Sequence, residues 1–211
     1  MELTLIQKIA IYALPVIFAI TVHEAAHGYA ARYFGDMTAH LAGRISLNPI
    51  KHIDPFGTIL VPALMMMAGG ILFGWAKPVP VDFSRLRTPK RDMRWVAAAG
   101  PASNLVMAIL WVFALKFSAG LPAYLGVPFE LMAQAGVMIN VVLMVLNLLP
   151  LPPLDGGRIA VSLLPHHLAY RYAKVERYGF IILIVLLFTG ILAKILQPLI
   201  FGVISLISWL F

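Results

Sequence analysis

The sequence predicts an all-α polytopic membrane protein, a helical bundle with a re-entrant loop and a short β-hairpin near its functional site. Apolar residues make up 61% of the chain and charged residues only 12%, and the mean hydropathy is +0.91. These values lie outside the range of soluble globular domains. With 211 residues and no long polar stretch, we expect a single domain over residues 1–211 and no appended soluble domain.

Five apolar segments, at 5–28, 56–74, 95–118, 129–149 and 180–211, have the length expected of membrane elements. The first ends in His-Glu rather than in a small-residue cleavage site, so we expect a retained helix and not a signal peptide. The second contains "PALMMMAGG" at 62–70, where a proline and a glycine pair allow the chain to dip into the membrane and turn back. The last is interrupted near 194–198, which leaves either one span with a short hairpin return or an interfacial helix.

Most of the 16 Lys and Arg residues lie in three loops between these segments, at 31–55, 75–94 and 150–178. The loop at 119–128 carries no charged residue. By the positive-inside rule the three basic loops are cytoplasmic and the uncharged loop lies on the other side of a cell membrane. The net charge of +7 therefore reflects topology, and we expect a multi-pass protein in the lipid bilayer with no nucleic-acid partner.

Short alternating stretches within the loops favour strands. They are "RISLN" at 44–48 and "KPVPV" at 77–81. Two prolines in the second stretch confine it to the edge of a sheet, because proline has no N–H group to donate.

The stretch "TVHEAAHGYA" at 21–30 places two imidazoles and a carboxylate in the first apolar helix. Positions i and i+4 of an α-helix project from one face, so His23 and His27 can share one metal ion. Glu24 lies beside that face, where a carboxylate can act as a general base without ligating the metal. Such a match also arises by chance on soluble helices, but ionisable groups in a membrane segment cost about 2.5 to 3.5 kcal/mol and tend to mark function.

A catalytic zinc has three protein ligands and one open position, so the two histidines need a third partner. The chain has no cysteine, which excludes thiolate ligands, and Tyr33 stands where metzincins have their third histidine. Most of the nine acidic residues lie in the basic loops or near chain and segment ends. Asp155 stands in "NLLPLPPLDGGRI" at 147–159, where prolines and a glycine pair can present its carboxylate to a neighbouring helix.

Three stretches resemble the site-2 proteases, which are intramembrane zinc metalloproteases. They are "HEAAH" at 23–27, "NLLPLPPLDGG" at 147–157 and "AAAGPASNL" at 97–105. The resemblance implies a zinc ion held by His23, His27 and Asp155, with Glu24 as general base. It implies that Asn147 assists near the scissile carbonyl, although an amide in a membrane helix also serves as interhelical glue.

The resemblance also implies a function. The chain would hydrolyse peptide bonds within or near transmembrane segments of membrane proteins. It departs from larger members of the family, since it has no room for a PDZ or nucleotide-sensing domain, and we expect a minimal form. The basic loops beside the motifs predict an active site near the cytoplasmic side. The substrate must unwind, and an exposed edge at 41–49 or at 74–83 could pair with it. His40 and His52 follow the first helix and could cap the site. The alternative is a zinc transporter or another metal-binding membrane protein.

Overall fold

The structure is a computed structural model that describes residues 4–60 and 76–210. In these ranges the regular secondary structure is helical. The α-helices, in chain order, are α1 (Leu5–Tyr33), α2 (Thr38–Leu41), α3 (Pro89–Ser118), α4 (Ala123–Asn147), α5 (Asp155–Leu163), α6 (His166–Ala173), α7 (Glu176–Phe188) and α8 (Ile191–Leu210). Short 3-10 helices at Pro49–His52 and Phe83–Arg85 and a π-helix at Pro55–Leu60 lie between α2 and α3.

Four of these helices, α1, α3, α4 and α8, are long and apolar enough to cross a membrane. The chain is thus an all-α polytopic membrane protein, as predicted. α1 begins with a capping box, in which the Thr4 hydroxyl accepts from the Gln7 N–H at 3.3 Å and the Gln7 side chain accepts from the Thr4 N–H at 2.9 Å. These two hydrogen bonds satisfy backbone N–H groups at the start of α1 that would otherwise have no partner within the helix.

Two predicted details of the fold are not confirmed. The predicted re-entrant segment at 56–74 lies largely outside the described residues, so the loop remains a prediction. The predicted strands at 44–48 and 77–81 are irregular segments, and no strand is found in the part of the chain that the structure describes. The two segments are instead joined by the Arg44 guanidinium, whose Nη2 donates to the carbonyls of Lys77 at 3.0 Å and Pro78 at 3.2 Å.

The last predicted segment, 180–211, is interrupted at Gly190 and not near 194–198, where the sequence predicted the break, because α8 continues through Pro198. α7 has 13 residues and α8 has 20. Gly190 separates them with a φ of 72°, a left-handed conformation that glycine adopts without strain. Of the two, only α8 has the length and hydropathy of a membrane span.

The core that carries the site is built from α1, α3 and α4, which pack against one another, and α5 packs on α3. Small side chains allow the helices to approach closely, as expected where helices associate in lipid. Ala19 and Ala25 of α1, Ala108 of α3 and Ala133 of α4 are buried. A Cβ atom at Gly136 of α4 would overlap the indole of Trp111 on α3.

The carboxyl end of α1, the amino end of α3 and the carboxyl end of α4 lie at the same end of this bundle. His27 near the end of α1 contacts Val96 near the start of α3, so these helices run antiparallel. Four residues, 119–122, join α3 to α4, and α4 therefore runs back toward the end of α1. The two motif-bearing helix ends can thus share one site.

Candidate metal centre

Three ligand atoms from two distant parts of the chain meet between α1, α3 and α5. The Nε2 atoms of His23 and His27 lie 3.0 Å apart, and each is 3.3 Å from Oδ2 of Asp155. Three ligands about 2.0 to 2.2 Å from a tetrahedral zinc ion are separated by about 3.3 to 3.6 Å from one another, close to the observed distances. The structure therefore brings together the three residues that the sequence predicted as metal ligands.

Asp155 reaches this position because it is the first residue of α5, directly after the proline-rich turn that follows α4. Gly156 and Gly157 allow the turn to close, since a Cβ atom at either would overlap the backbone of Leu148 or Pro152. Asp155 is only 8% exposed.

The contacts among His23, His27 and Asp155 are unfavourable without a cation between the three side chains. Oδ2 of Asp155 is buried and has no hydrogen-bond partner, a costly state for a charged oxygen. The two facing Nε2 atoms, 3.0 Å apart, would repel if both carried lone pairs with nothing between them. A divalent cation bound by all three atoms removes both costs, and two imidazoles with one carboxylate are a ligand set that suits zinc.

The other ring nitrogens of the histidines are held by oxygen atoms of α3. Nδ1 of His27 lies 2.8 Å from the carbonyl oxygen of Val96, and Nδ1 of His23 lies 2.6 Å from Oδ1 of Asn104. A carbonyl oxygen can only accept, so each Nδ1 carries the proton and each Nε2 is left with a lone pair that points at the site. Such partners fix the ring orientation and raise the basicity of a metal ligand.

Gly100 of α3 lies directly against both imidazoles. A Cβ atom there would overlap the Nε2 atoms of His23 and His27. The absence of a side chain at this position therefore leaves the space in which the two ligand atoms converge.

Glu24 borders the ligand set without belonging to it. Its Oε2 accepts from the backbone N–H of Val79 at 2.7 Å, which ties α1 to the irregular segment before α3. Arg44 holds the same segment one and two residues earlier, at Pro78 and Lys77. The carboxylate of Glu24 is thus oriented by a contact that leaves it beside the predicted metal ligands.

A cavity of about 150 Å³ opens from the ligand atoms. Polar side chains line it, and Asn147 and Arg158 lie there with Glu24 and the three ligand residues. Asn147 donates to the carbonyl of Leu143 in its own helix at 3.0 Å, and the Arg158 guanidinium lies over the Phe83 ring at 5.1 Å. The remaining wall is apolar: Pro78, Val79, Val81, Phe83, Val96, Ala97, Pro153 and Leu154.

His40 and His52, the loop histidines that could cap the site, are not among the residues that line this cavity. His40 lies 3.4 Å from Nη1 of Arg32 on the exposed surface. His52 is buried, and its Nε2 donates to the carbonyl of Ser46 at 2.8 Å while its own carbonyl accepts from Lys77 N–H at 2.9 Å. Its observed contacts therefore hold the loop that carries the Glu24 partner, Val79.

Sequence reasoning missed Val79, Gly100 and Asn104. For Asn104 a signal was present, because an amide inside the apolar segment 95–118 is a polar group that is costly to place in a membrane. The same argument identified the two histidines. Gly100 stands in the small-residue stretch "AAAGPASNL", but nothing in it indicates that this glycine faces a ligand. Val79 contacts Glu24 through its backbone N–H group, so its residue type gives no signal in the sequence.

The model of peptidase family M50 matches residues 123–190. YwhC of Bacillus subtilis (strain 168) is 40% identical over 195 residues, which cover 87% of this chain and 82% of YwhC. Rip2 of Mycolicibacterium smegmatis is 32% identical over 186 residues, 84% of this chain and 66% of Rip2. Rip2 of Mycobacterium tuberculosis (strain H37Rv) is 31% identical over 198 residues, 92% of this chain and 70% of its own length.

All three relatives are named as zinc metalloproteases. No solved structure matches the chain significantly. The similarity to YwhC extends over most of both proteins, and it confirms the resemblance seen in the three sequence motifs. The chain therefore belongs to peptidase family M50, the site-2 protease family, and is a zinc metalloprotease.

Proposed function

We propose that this protein is an intramembrane protease that hydrolyses peptide bonds within or near the transmembrane segments of membrane proteins. The observation that carries the proposal is the convergence of His23, His27 and Asp155 beside Glu24 in a cavity of a membrane bundle. The two histidines lie inside the apolar helix Ile6–Tyr33. A metal site in such a helix lies where it can reach a substrate that is itself in the membrane.

In this proposal His23, His27 and Asp155 hold the zinc ion. Bound zinc would supply Lewis-acid activation of a water molecule and of the scissile carbonyl. Glu24, oriented by the Val79 N–H, accepts the proton of that water and then delivers it to the leaving amine. Asn147 lines the same cavity, and its amide can donate to the carbonyl oxygen as negative charge develops there.

The substrate must enter as an extended chain, because the carbonyls of an intact helix are engaged by its own N–H groups. Of the two candidate edges, the structure favours 74–83 over 41–49. Pro78, Val79 and Val81 line the cavity, whereas no residue of 41–49 does so among those described. Residues 76–82 have no regular structure of their own, and we propose that this segment pairs with the unwound substrate.

We further propose that the site lies near the cytoplasmic face and that residues 1–211 form one intramembrane metalloprotease domain. The site lies at the bundle end that receives the three basic loops, which the positive-inside rule assigns to the cytoplasm. A single domain is supported by the make-up of the site, because its residues come both from the motif on α1 and from the turn that carries Asp155. The alternative of a zinc transporter has no support in the relatives, which are named as metalloproteases.

The test compares wild-type protein with Glu24→Gln after reconstitution into liposomes with a model single-span substrate. The amide keeps the shape of the carboxylate but cannot accept the proton of water, so we expect unchanged zinc content and loss of cleavage. Mass spectrometry of the fragments locates the cut relative to the span. Cleavage by Glu24→Gln would refute the base assignment, and cuts only in soluble loops far from the span would refute intramembrane proteolysis.

A further inference from the structure

We infer that Asn104 and Asn140 form a positioning relay that holds the His23 imidazole in its metal-binding tautomer. The inference rests on the proposed metal site but concerns residues that lie outside the ligand set. Asn104 belongs to α3 and Asn140 to α4, and both are fully buried, with 0% of their surface exposed. The relay therefore connects the three helices of the core through side chains that water does not reach.

The first link is the contact between Asn104 and His23. Oδ1 of Asn104 lies 2.6 Å from Nδ1 of His23. While that oxygen faces the ring, the imidazole proton resides on Nδ1 and Nε2 stays unprotonated. If the Asn104 amide turned over, its NH₂ group would face Nδ1, and the proton would have to move to Nε2, where it blocks a metal.

The second link decides which way the Asn104 amide points. Its Nδ2 donates to the backbone carbonyl of Ala19 at 3.2 Å and to Oδ1 of Asn140 at 2.9 Å. Both partners are acceptors in this arrangement, so a turned-over amide would place its oxygen against two other oxygens. This repulsion in a dry interior disfavours the alternative orientation.

The third link ties the relay to the backbone of α4. Nδ2 of Asn140 donates to the carbonyl of Gly136 at 2.8 Å. Because a backbone carbonyl can only accept, the NH₂ group of Asn140 is fixed on that side and its oxygen must face Asn104. The orientation thus passes from the backbone of α4 through Asn140 and Asn104 to the ring of His23.

A purely adhesive role predicts something different. Buried amides in membrane bundles often hold helices together, and their loss then lowers stability without a specific effect on a metal ligand. A positioning role predicts a loss of zinc affinity and a shift of the His23 tautomer in protein that remains folded. Zinc affinity and tautomer therefore separate the two roles.

The test measures the zinc dissociation constant of purified protein in detergent by competition with a chromogenic chelator. Loss of an outer hydrogen-bond partner of a metal-binding histidine costs about 10- to 100-fold in affinity. We expect Asn104→Leu to fall within this range and Asn140→Leu near its lower end, about 10-fold. Ser118→Ala is the matched control, because Ser118 is also buried and its hydroxyl donates to the Leu115 carbonyl within the last turn of α3, away from the histidines, and it should leave zinc affinity unchanged.

Asn140→Ser is a second variant that keeps the test possible if Asn140→Leu fails to fold. A serine can still donate to the Gly136 carbonyl one turn earlier, but it withdraws the acceptor from Asn104. The ¹⁵N chemical shifts of the imidazoles in the metal-free protein, assigned with a His23→Gln spectrum, report the tautomer directly. We expect His23 to lose its pure Nδ1–H form in Asn140→Leu or Asn140→Ser.

If folded Asn140 variants bind zinc as tightly as wild type and keep the Nδ1–H form of His23, the relay is refuted and Asn140 is only adhesive. If the wild-type protein itself binds no zinc at the histidines, the proposed metal site fails instead. The two failures are distinct, because the second appears before any asparagine is changed.

Discussion

At the scale of single residues, the proposed ligands and the proposed base differ in the partners of their side chains. His23 and His27 have their Nδ1 protons engaged by oxygens of α3, so that only Nε2 faces the cavity. Asp155 has a buried oxygen without a partner, whereas Glu24 is engaged by a backbone N–H. Two carboxylates in one cavity thus have environments suited to different tasks.

Asp155→Ala should weaken zinc binding and abolish proteolysis. Only two imidazoles would then hold the ion, and the loss should exceed the roughly 10- to 100-fold cost of removing an outer partner. Competition with a chelator gives the affinity, and Glu24→Gln is the control that changes a carboxylate in the same cavity without removing a ligand. Full zinc affinity in Asp155→Ala would place the third ligand elsewhere.

Gly100→Ala should also lower zinc affinity, although it changes no polar group. Its methyl group would overlap the Nε2 atoms of His23 and His27, and the rings must move to make room. Gly202→Ala on α8 is the matched control, because a Cβ atom at Gly202 meets no atom of the described residues within 4 Å and alanine favours a helix. Equal zinc affinities for the two alanine variants would contradict the observed packing of Gly100.

At the scale of helices and turns, the chain delivers Asp155 by packing α7 beneath the proline-rich turn. A Cβ atom at Gly179 of α7 would overlap the backbone of Pro152, so the turn and the helix are in direct backbone contact. Arg158 of α5 and Glu176 of α7 add an ion pair at 3.9 Å across the same junction. An exposed pair of this kind contributes little, and the close packing is the main constraint.

Gly179→Ala should therefore reduce proteolysis from a position far along the chain from any predicted site residue. The rigid backbone of Pro152 cannot give way cheaply, so either α7 or the turn that carries Asp155 must shift. We expect weaker zinc binding and slower cleavage, measured as for the other variants, with Gly202→Ala again as the control. Wild-type activity in Gly179→Ala would show that α7 does not support the turn.

The elements were predictable where their signal is local. The apolar segment 95–118 corresponds to α3 (Pro89–Ser118) and 129–149 to α4 (Ala123–Asn147), because hydropathy over about 20 residues is a property of the chain itself. The residues predicted as ligands were also chosen from local signals, namely the spacing of His23 and His27 and the motif around Asp155 that resembles the family. Alternation at 77–81 did not give a strand, since Pro78 and Pro80 lack the N–H groups that a ladder requires.

What depends on packing between helices was not predictable. The contact of Glu24 with the Val79 N–H and the pairing of Asn104 with Asn140 join residues 55 and 36 positions apart. Each position taken alone permits many roles for its residue. Only the arrangement of α1, α3 and α4 selects which amide faces the histidine and which glycine faces the metal ligands.

At the scale of the whole molecule, the loops that follow α1, precede α3 and follow α4 lie at one end of the bundle, which would put them on one side of a membrane that these helices cross. The end of α1 is bonded directly to the residues before α3, since the Arg87 N–H donates to the Phe34 carbonyl at 2.9 Å. Whatever path the chain takes between them, it begins and ends on the same side. The turn between α3 and α4 lies at the opposite end.

This arrangement predicts the labelling pattern of single cysteines, which the chain allows because it has no natural cysteine. Lys51→Cys and Arg87→Cys should both react with a membrane-impermeant thiol reagent from the cytoplasmic side, and Ala119→Cys from the other side. All three positions are exposed, so access is limited by the membrane and not by packing. The proteolytic activity of each variant, measured before labelling, verifies that it is folded. Labelling of Lys51→Cys and Arg87→Cys from opposite faces cannot be reconciled with a bond between Arg87 and the end of α1, and it would separate the His23 and His27 face from the loop that carries Asp155.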